Sequence, residues 1–289
     1  MRVIFVRHGE PDYVRDCLTE TGRIQAVLAA ERLREEGISE VWSSTMGRAR
    51  ETAEETGKAL GLPVQTLDFM RELQWGSRDE TPLFADGHPW DMADELARRG
   101  FNLNTPDWRE HPFFRNNRVC DSVDQVEQGI DSWLAKLGYL REGAYYRCAR
   151  PNREQKTVAL FSHGGSSCAA MGHILNLPFP YLCALLHLEF TGITILRMDR
   201  NPGSLTLPCL ELGNDGRQGY TGDAHSVHQS QIQHDVDDRA DSHRQHAGFR
   251  KALRVDIVVE TGREHRKRRS DQIDGKIGIL PKPRLIPLQ

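Results

Sequence analysis

Six cysteines in 289 residues (Cys17, Cys120, Cys148, Cys168, Cys183 and Cys209) form no CxxC pair and keep no regular spacing. That argues against a zinc knuckle and against a disulfide framework, and leaves free thiols of the kind expected in a cytoplasmic protein. A long hydrophobic run is missing too. The most apolar window, 179–196, is interrupted by His187, Glu189 and Gly192, so it reads as a buried helix end and a strand instead of a membrane span. No sign of charge dominates: the net charge of -3 names neither nucleic acid nor a membrane surface as partner. The first residues pass directly into an apolar strand, which leaves no room for the basic and apolar regions of a secretory leader. What remains is a chain long enough for one α/β domain of roughly 200 residues with a remainder.

The chain is organised around Met1-Arg2-Val3-Ile4-Phe5-Val6-Arg7-His8-Gly9-Glu10. Four consecutive apolar residues predict a central, fully buried parallel strand, and Arg7-His8 follows at its carboxyl end, the edge where open α/β sheets bind ligands. A guanidinium offers a rigid fork of donors to an anion, while a histidine can act as nucleophile or acid/base. Thr19 and Thr21 supply hydroxyl caps for a helix with Gly22, Ala26, Ala29, Ala30 and Leu33 on one face, and Gly37 ends it. Residues 39–43 predict the second strand. Ala49, Thr52, Ala53, Thr56 and Leu60 then place Arg48 in the first turn of a helix, where backbone donors and the positive dipole end converge. Residues 64–67 predict a third strand. After it, Glu72 lies among Met70, Leu73 and Trp75, a setting that would desolvate its carboxyl and suit it to acid catalysis.

Residues 77–120 break the βα rhythm. Trp90, Trp108, Phe84, Phe101, Phe113, Phe114 and prolines 82, 89, 106 and 112 predict an insertion capping the carboxyl edge of the sheet, its aromatics lining a substrate pocket or forming a small core of their own. Residues 121–140 predict a long amphipathic helix, and 141–156 an exposed loop. Residues 157–161 predict a second buried strand ending in Ser162-His163-Gly164-Gly165, which repeats the amino-terminal pattern and provides backbone donors for an anion. Residues 190–198 and 204–212 predict the last two strands, antiparallel across Asn201-Pro202-Gly203. Beyond residue 214 the composition changes. The segment 215–289 holds 14 Lys+Arg, 11 Asp+Glu and six of the twelve histidines but little apolar density, so a disordered or weakly structured tail is expected, peripheral to a catalytic domain of residues 1–214. Its basic run 263–269 reads as a solvated tail more readily than as a nucleic-acid contact.

Two histidines at strand ends, Arg7, Arg48 and Glu72 combine anion binders, a nucleophile and a proton donor. Taken in order, these motifs strongly resemble the histidine phosphatase superfamily, phosphoglycerate mutase-like branch. Arg7-His8-Gly9-Glu10 matches its amino-terminal signature, Leu18-Thr19-x-x-Gly22-x-x-Gln25-Ala26 its first helix, and Ser43-Ser44-x-x-x-Arg48-Ala49-x-x-Thr52-Ala53 its second arginine motif. Glu72 matches the acid position, and Ser162-His163-Gly164 the second histidine. The resemblance covers roughly residues 1–212 and not the tail. With it the expected fold is a three-layer α/β/α sandwich around a mostly parallel sheet.

The resemblance implies that His8 attacks a phosphomonoester to form a phosphohistidine, that Arg7, Arg48, His163 and Gly164 hold the phosphoryl oxygens, and that Glu72 is the acid and base. It implies no metal and no cofactor, and a small phosphorylated metabolite as substrate. Where many relatives carry Ser or Thr after the Glu and Asn three residues later, this chain has Pro11 and Val14. That favours a phosphomonoester hydrolase over a phosphoglycerate-type mutase, which must hold and reorient a bisphosphate. A non-catalytic phospho-ligand module is the third reading, and the intact residue set speaks against it.

Overall fold

A computed structural model gives the fold and describes residues 1–149, 156–198 and 201–217. These lie within one unit, Met1–Val227; the second unit, His228–Gln289, falls outside the described residues, and with it the expectation of a disordered tail. The apolar amino terminus forms β1 (Arg2–Arg7), with Val3, Ile4, Phe5 and Val6 all buried. Each such side chain contributes about 1.5–3 kcal/mol by leaving water. A ribbon of β2 (Pro11–Asp12) and β3 (Cys17–Leu18) leads into α1 (Glu20–Leu33), whose cap Thr19 accepts from the Gly22 N–H at 3.0 Å. The small residues Gly22, Ala26, Ala29 and Ala30 lie on its buried face. Then come β4 (Glu40–Ser44), α2 (Gly47–Leu60) and β5 (Val64–Leu67).

The insertion contributes α3 (Pro89–Arg98) and α4 (Pro112–Arg115), followed by α5 (Val119–Lys136), β6 (Tyr139–Glu142) and β7 (Tyr145–Cys148). The remaining elements are β8 (Thr157–Ser162), α6 (Gly164–Leu175), α7 (Phe179–Leu185), β9 (Ile193–Arg197), β10 (Leu205–Thr206) and β11 (Cys209–Asp215). Among the described residues no single helix is long and apolar enough to cross a membrane.

Six strands form the central sheet in the order β11-β9-β1-β8-β4-β5. The pairs β1/β8, β8/β4 and β4/β5 are parallel, and β9 and β11 add antiparallel at one side. Strand alternation sorts the core into two layers. Ile4, Val6, Val41, Ala159 and Phe161 pack with Leu33 and Ala53 of α1 and α2. Val3, Phe5, Val158 and Leu160 face the larger cluster built with α5, α6 and α7. This is the expected α/β sandwich, with a mixed sheet that is parallel at its centre.

Three local expectations are corrected. The stretch 141–156, expected as a loop, contains most of the β6–β7 hairpin; Tyr139, Tyr146 and Cys148 are buried while Tyr145 is exposed, an alternation that its arginines obscure. The predicted helix 121–140 stops at Lys136, because Gly138 takes a left-handed φ of 95° and the chain turns into β6. The predicted strand 204–212 is two strands: β10 joins β7, and β11 pairs antiparallel with β9. Pro208, which has no N–H to give a ladder, lies between them. β11 also runs to Asp215, one residue past the expected domain limit.

The aromatics of the insertion do not form the small core of their own that was one of the two roles expected for them; most of them join the main core of the domain. Trp108 and Phe114 are buried in the larger cluster, and Trp108 reaches Phe179 of α7 at 5.8 Å between ring centres. Trp90 is half-buried and lies against Gly164.

Candidate active site

Sheet register brings the site residues together. Arg7 pairs with Ser162 across β1/β8, so the next residue of each strand, His8 and His163, leaves the sheet edge beside the other. Their ring centres are 5.1 Å apart. Ser43 pairs with Phe161 across β4/β8, which brings the Ser44 hydroxyl to 2.9 Å from His163 Nε2. Four residues later Arg48 sits in the first turn of α2, as the helix face predicted.

His8 is 1% exposed, and its Nδ1 lies 2.6 Å from the Gly9 carbonyl oxygen. A carbonyl only accepts, so Nδ1 carries the proton and Nε2 holds the lone pair. Arg48 donates its Nε–H to that nitrogen at 3.3 Å. Burial first, and then the charges of Arg7 and Arg48, hold the His8 pKa well below the ordinary histidine value. The ring is therefore neutral at pH 7. Gly9 and Gly22 meet back to back: a Cβ on Gly9 would lie 2.5 Å from the Gly22 carbonyl oxygen, and one on Gly22 would overlap that of Glu10. Only glycine at both positions lets the start of α1 support the loop that carries His8.

Arg7 donates from Nη1 to the Leu188 carbonyl at 2.6 Å, and its guanidinium lies 4.2 Å above the Phe190 ring. Its Nε is buried without a hydrogen-bond partner. His163 is fully buried, and burial followed by the neighbouring His8, Arg48 and Arg7 pushes its pKa well below the ordinary value; its Nδ1 also has no partner. Unpaired buried polar atoms are costly and rare, and here two of them cluster beside the His8 ring.

The Glu72 carboxylate meets the start of α6. Its Oε1 accepts from the backbone N–H groups of Leu73 at 2.9 Å and Ser166 at 3.2 Å, and Oε2 from Gly165 at 3.4 Å. The sequence led us to expect an apolar setting for this group. Met70 and Leu73 are buried as expected, but Trp75 is 39% exposed and the carboxylate itself faces backbone donors at a helix amino terminus, which complement a negative charge. Gly165 makes this approach possible, because a Cβ there would lie 2.6 Å from Oε1. A Cβ on Gly164 would lie 3.5 Å from Trp90 Cζ2 and 3.9 Å from Arg7 Nε, so the start of α6 lies against both the indole and the Arg7 guanidinium.

All six residues expected from the sequence, Arg7, His8, Arg48, Glu72, His163 and Gly164, thus converge at the carboxyl edge of the sheet. Sequence reasoning missed the contacts of Ser44 and Gly165, although both stood within the motifs; Trp90 was among the insertion aromatics named, but no spacing pointed to its contact with Gly164. Among the described residues no group of three or more His, Cys, Asp or Glu side chains converges as a metal site.

Comparison with known proteins gives matches that agree on the family and divide between phosphatase and mutase names. Residues 3–209 match the family model of the histidine phosphatase superfamily (branch 1). A probable phosphoglycerate mutase GpmB of Yersinia pestis is 36% identical over 92 residues, which cover 29% of this chain and 43% of that protein. The chain therefore matches less than half the length of that curated relative. A mycobacterial glucosyl-3-phosphoglycerate phosphatase, solved with inorganic phosphate, is 25% identical with a TM-score of 0.52, covering 75% of this chain and 98% of the other. A second solved structure, mycobacterial hydrolase 2, shares the fold at 23% identity and a TM-score of 0.55, covering 79% of this chain and 96% of its own.

Proposed function

The chain belongs to the histidine phosphatase superfamily, and we propose that it is a metal-independent phosphomonoester hydrolase acting on a small phosphorylated metabolite through a phosphohistidine on His8. The observation that carries this reading is the His8 ring: buried, neutral, its Nδ1–H tied to the Gly9 carbonyl and its Nε2 lone pair turned to Arg48. That is the tautomer an in-line nucleophile needs.

Nε2 attacks phosphorus as the bond to the ester oxygen breaks, and Glu72 delivers a proton to the departing alkoxide. The phosphoryl oxygens lie against Arg7 Nε, Arg48 Nε, His163 and the Gly164 backbone. Two arginine charges beside two neutral imidazoles match a dianionic phosphoryl group. In the second half, the Glu72 carboxylate takes a proton from water as that water attacks phosphorus and the phosphorus–nitrogen bond breaks. Inorganic phosphate leaves and His8 is regenerated.

Two observations support hydrolysis over mutase chemistry. Pro11, held in the β2/β3 ribbon opposite Leu18, offers no hydroxyl, and Val14 is 97% exposed with no polar group to give a bisphosphate. The likeness to a phosphatase acting, by its name, on glucosyl-3-phosphoglycerate points the same way. The test is a panel of phosphometabolites assayed with and without a bisphosphate primer. Release of inorganic phosphate without primer supports the hydrolase; primer-dependent isomerisation without release supports the mutase.

A further inference from the structure

The loop between β2 and β3 is built tightly around Arg48. Asp12 Oδ1 accepts from the N–H groups of Val14 and Arg15 at 3.0 and 3.1 Å, which folds the loop into an Asx turn. The next residue, Asp16, sits at φ 51°, a left-handed conformation that costs a non-glycine residue energy and that clusters at functional sites. Both its carboxylate oxygens are used on α2: Oδ2 accepts from the Gly47 N–H at 2.8 Å and Oδ1 from Arg48 Nη1 at 2.5 Å. Gly47 must lack a side chain, because a Cβ there would overlap the Asp16 carbonyl oxygen. The Tyr13 ring lies 5.3 Å from the Arg48 guanidinium carbon.

Arg48 has only 4% exposure, and a buried guanidinium without a partner would turn toward solvent or unfold its surroundings. Asp16 supplies the partner on Nη1. The opposite edge of the same rigid fork then directs Nε at His8 Nε2, 3.3 Å away. We propose that Asp16 is a positioning residue for phosphoryl transfer: by clamping Arg48 Nη1 and the start of α2 it fixes Arg48 Nε against the nucleophile. This rests on the reading of His8 as that nucleophile. Asp16 does not touch the phosphoryl group. It acts through Arg48, and a displacement of the guanidinium by a fraction of an ångström weakens the transition state more than substrate binding.

A double-mutant cycle tests it, reading kcat and KM on p-nitrophenyl phosphate and inhibition by vanadate and by inorganic phosphate. Asp16→Ala is expected to lower kcat about 10- to 100-fold and to weaken vanadate, which mimics the five-coordinate transition state, in proportion, while KM and inhibition by phosphate move only a few-fold. In an Arg48→Ala background the same change should have almost no further effect on kcat. Asp16→Asn, which keeps a hydrogen bond to Gly47 N–H but loses the charge, should give an intermediate loss at unchanged melting temperature, and it keeps the test open if Asp16→Ala unfolds. The proposal is overturned if Asp16→Asn and Asp16→Ala stay within two-fold of wild type, or if the loss is as large in the Arg48→Ala background as in wild type. If instead the wild type neither hydrolyses p-nitrophenyl phosphate nor labels His8, it is the hydrolase reading that fails.

Discussion

Adding one methyl group at Gly165 should separate the acid step from the rest of the site. A Cβ there would stand 2.6 Å from Glu72 Oε1 and 3.0 Å from Leu73 Cγ and Cδ1, where an ordinary contact begins at 3.4 Å. The carboxylate must therefore retreat by about 0.8 Å, and misplacements of roughly 1 Å cost on the order of 100-fold in rate. Alanine is otherwise welcome in the first turn of α6, since replacing a helical glycine contributes up to about 1 kcal/mol. Gly165→Ala should thus leave the melting temperature within a few degrees of wild type while lowering kcat about 10- to 100-fold on alkyl phosphates. With p-nitrophenyl phosphate, whose leaving group departs without a proton, kcat/KM, which reports only the steps up to the phosphohistidine, should fall much less than it does with alkyl phosphates. Glu72→Gln should show the same dependence on leaving group. Equal losses on both substrates, or activity within two-fold of wild type, would mean that the Glu72 carboxylate is not the acid and that its contact with α6 is structural.

His8 and His163 are buried with lowered pKa values, so below the ordinary value of 6.5 the unfolded state binds protons that the folded state refuses. Stability is complete above that pH and falls below it, by about 1.4 kcal/mol per pH unit for each ring, until the folded-state values are reached. Replacing His163 by Gln should flatten the dependence below pH 6.5 in urea unfolding; parallel curves would show that the ring is not buried neutral. A chain ending at Arg217 should melt like the full chain. One ending at Leu212 loses Asn214, whose side chain accepts from Glu189 N–H at 2.9 Å and donates to the His187 carbonyl at 2.7 Å, and should melt about 4–8 °C lower. Equal melting temperatures would show that the end of β11, residues 213–215, does not hold the fold. EDTA should leave turnover unchanged because Arg7 and Arg48 supply the positive charge, and inactivation reversed by a divalent ion would place the enzyme in another hydrolase class.

Strands β1 and β8 could be read from the sequence because runs of apolar residues buried on both faces carry their own signal, and the histidine ending each run marked the site. α1 was equally plain through its Thr19 cap and small-residue face, and α2 through its buried face of Ala49, Thr52, Ala53 and Thr56, since both are local properties. The β6–β7 hairpin was not, because the half-buried Arg141 and Arg147 stand among the buried Tyr139, Tyr146 and Cys148 and dilute the alternation. β11 escaped in part because its side chains are mostly exposed and its register with β9 shifts twice. Asp16 and Trp90 lie outside any periodic pattern. Their roles depend on Arg48 and Gly164, which only the folded chain brings near them.

In the proposed reaction His8 carries the phosphoryl group. Wild-type protein, mixed with substrate and quenched within the first turnovers, should hold one phosphoryl group that is labile to acid and stable to base, and peptide mapping should find it on His8. His8→Ala should lose both the label and the turnover, because removing the nucleophile restores many kcal/mol of barrier. A label on another residue, or turnover within a few-fold of wild type in His8→Ala, would contradict the account.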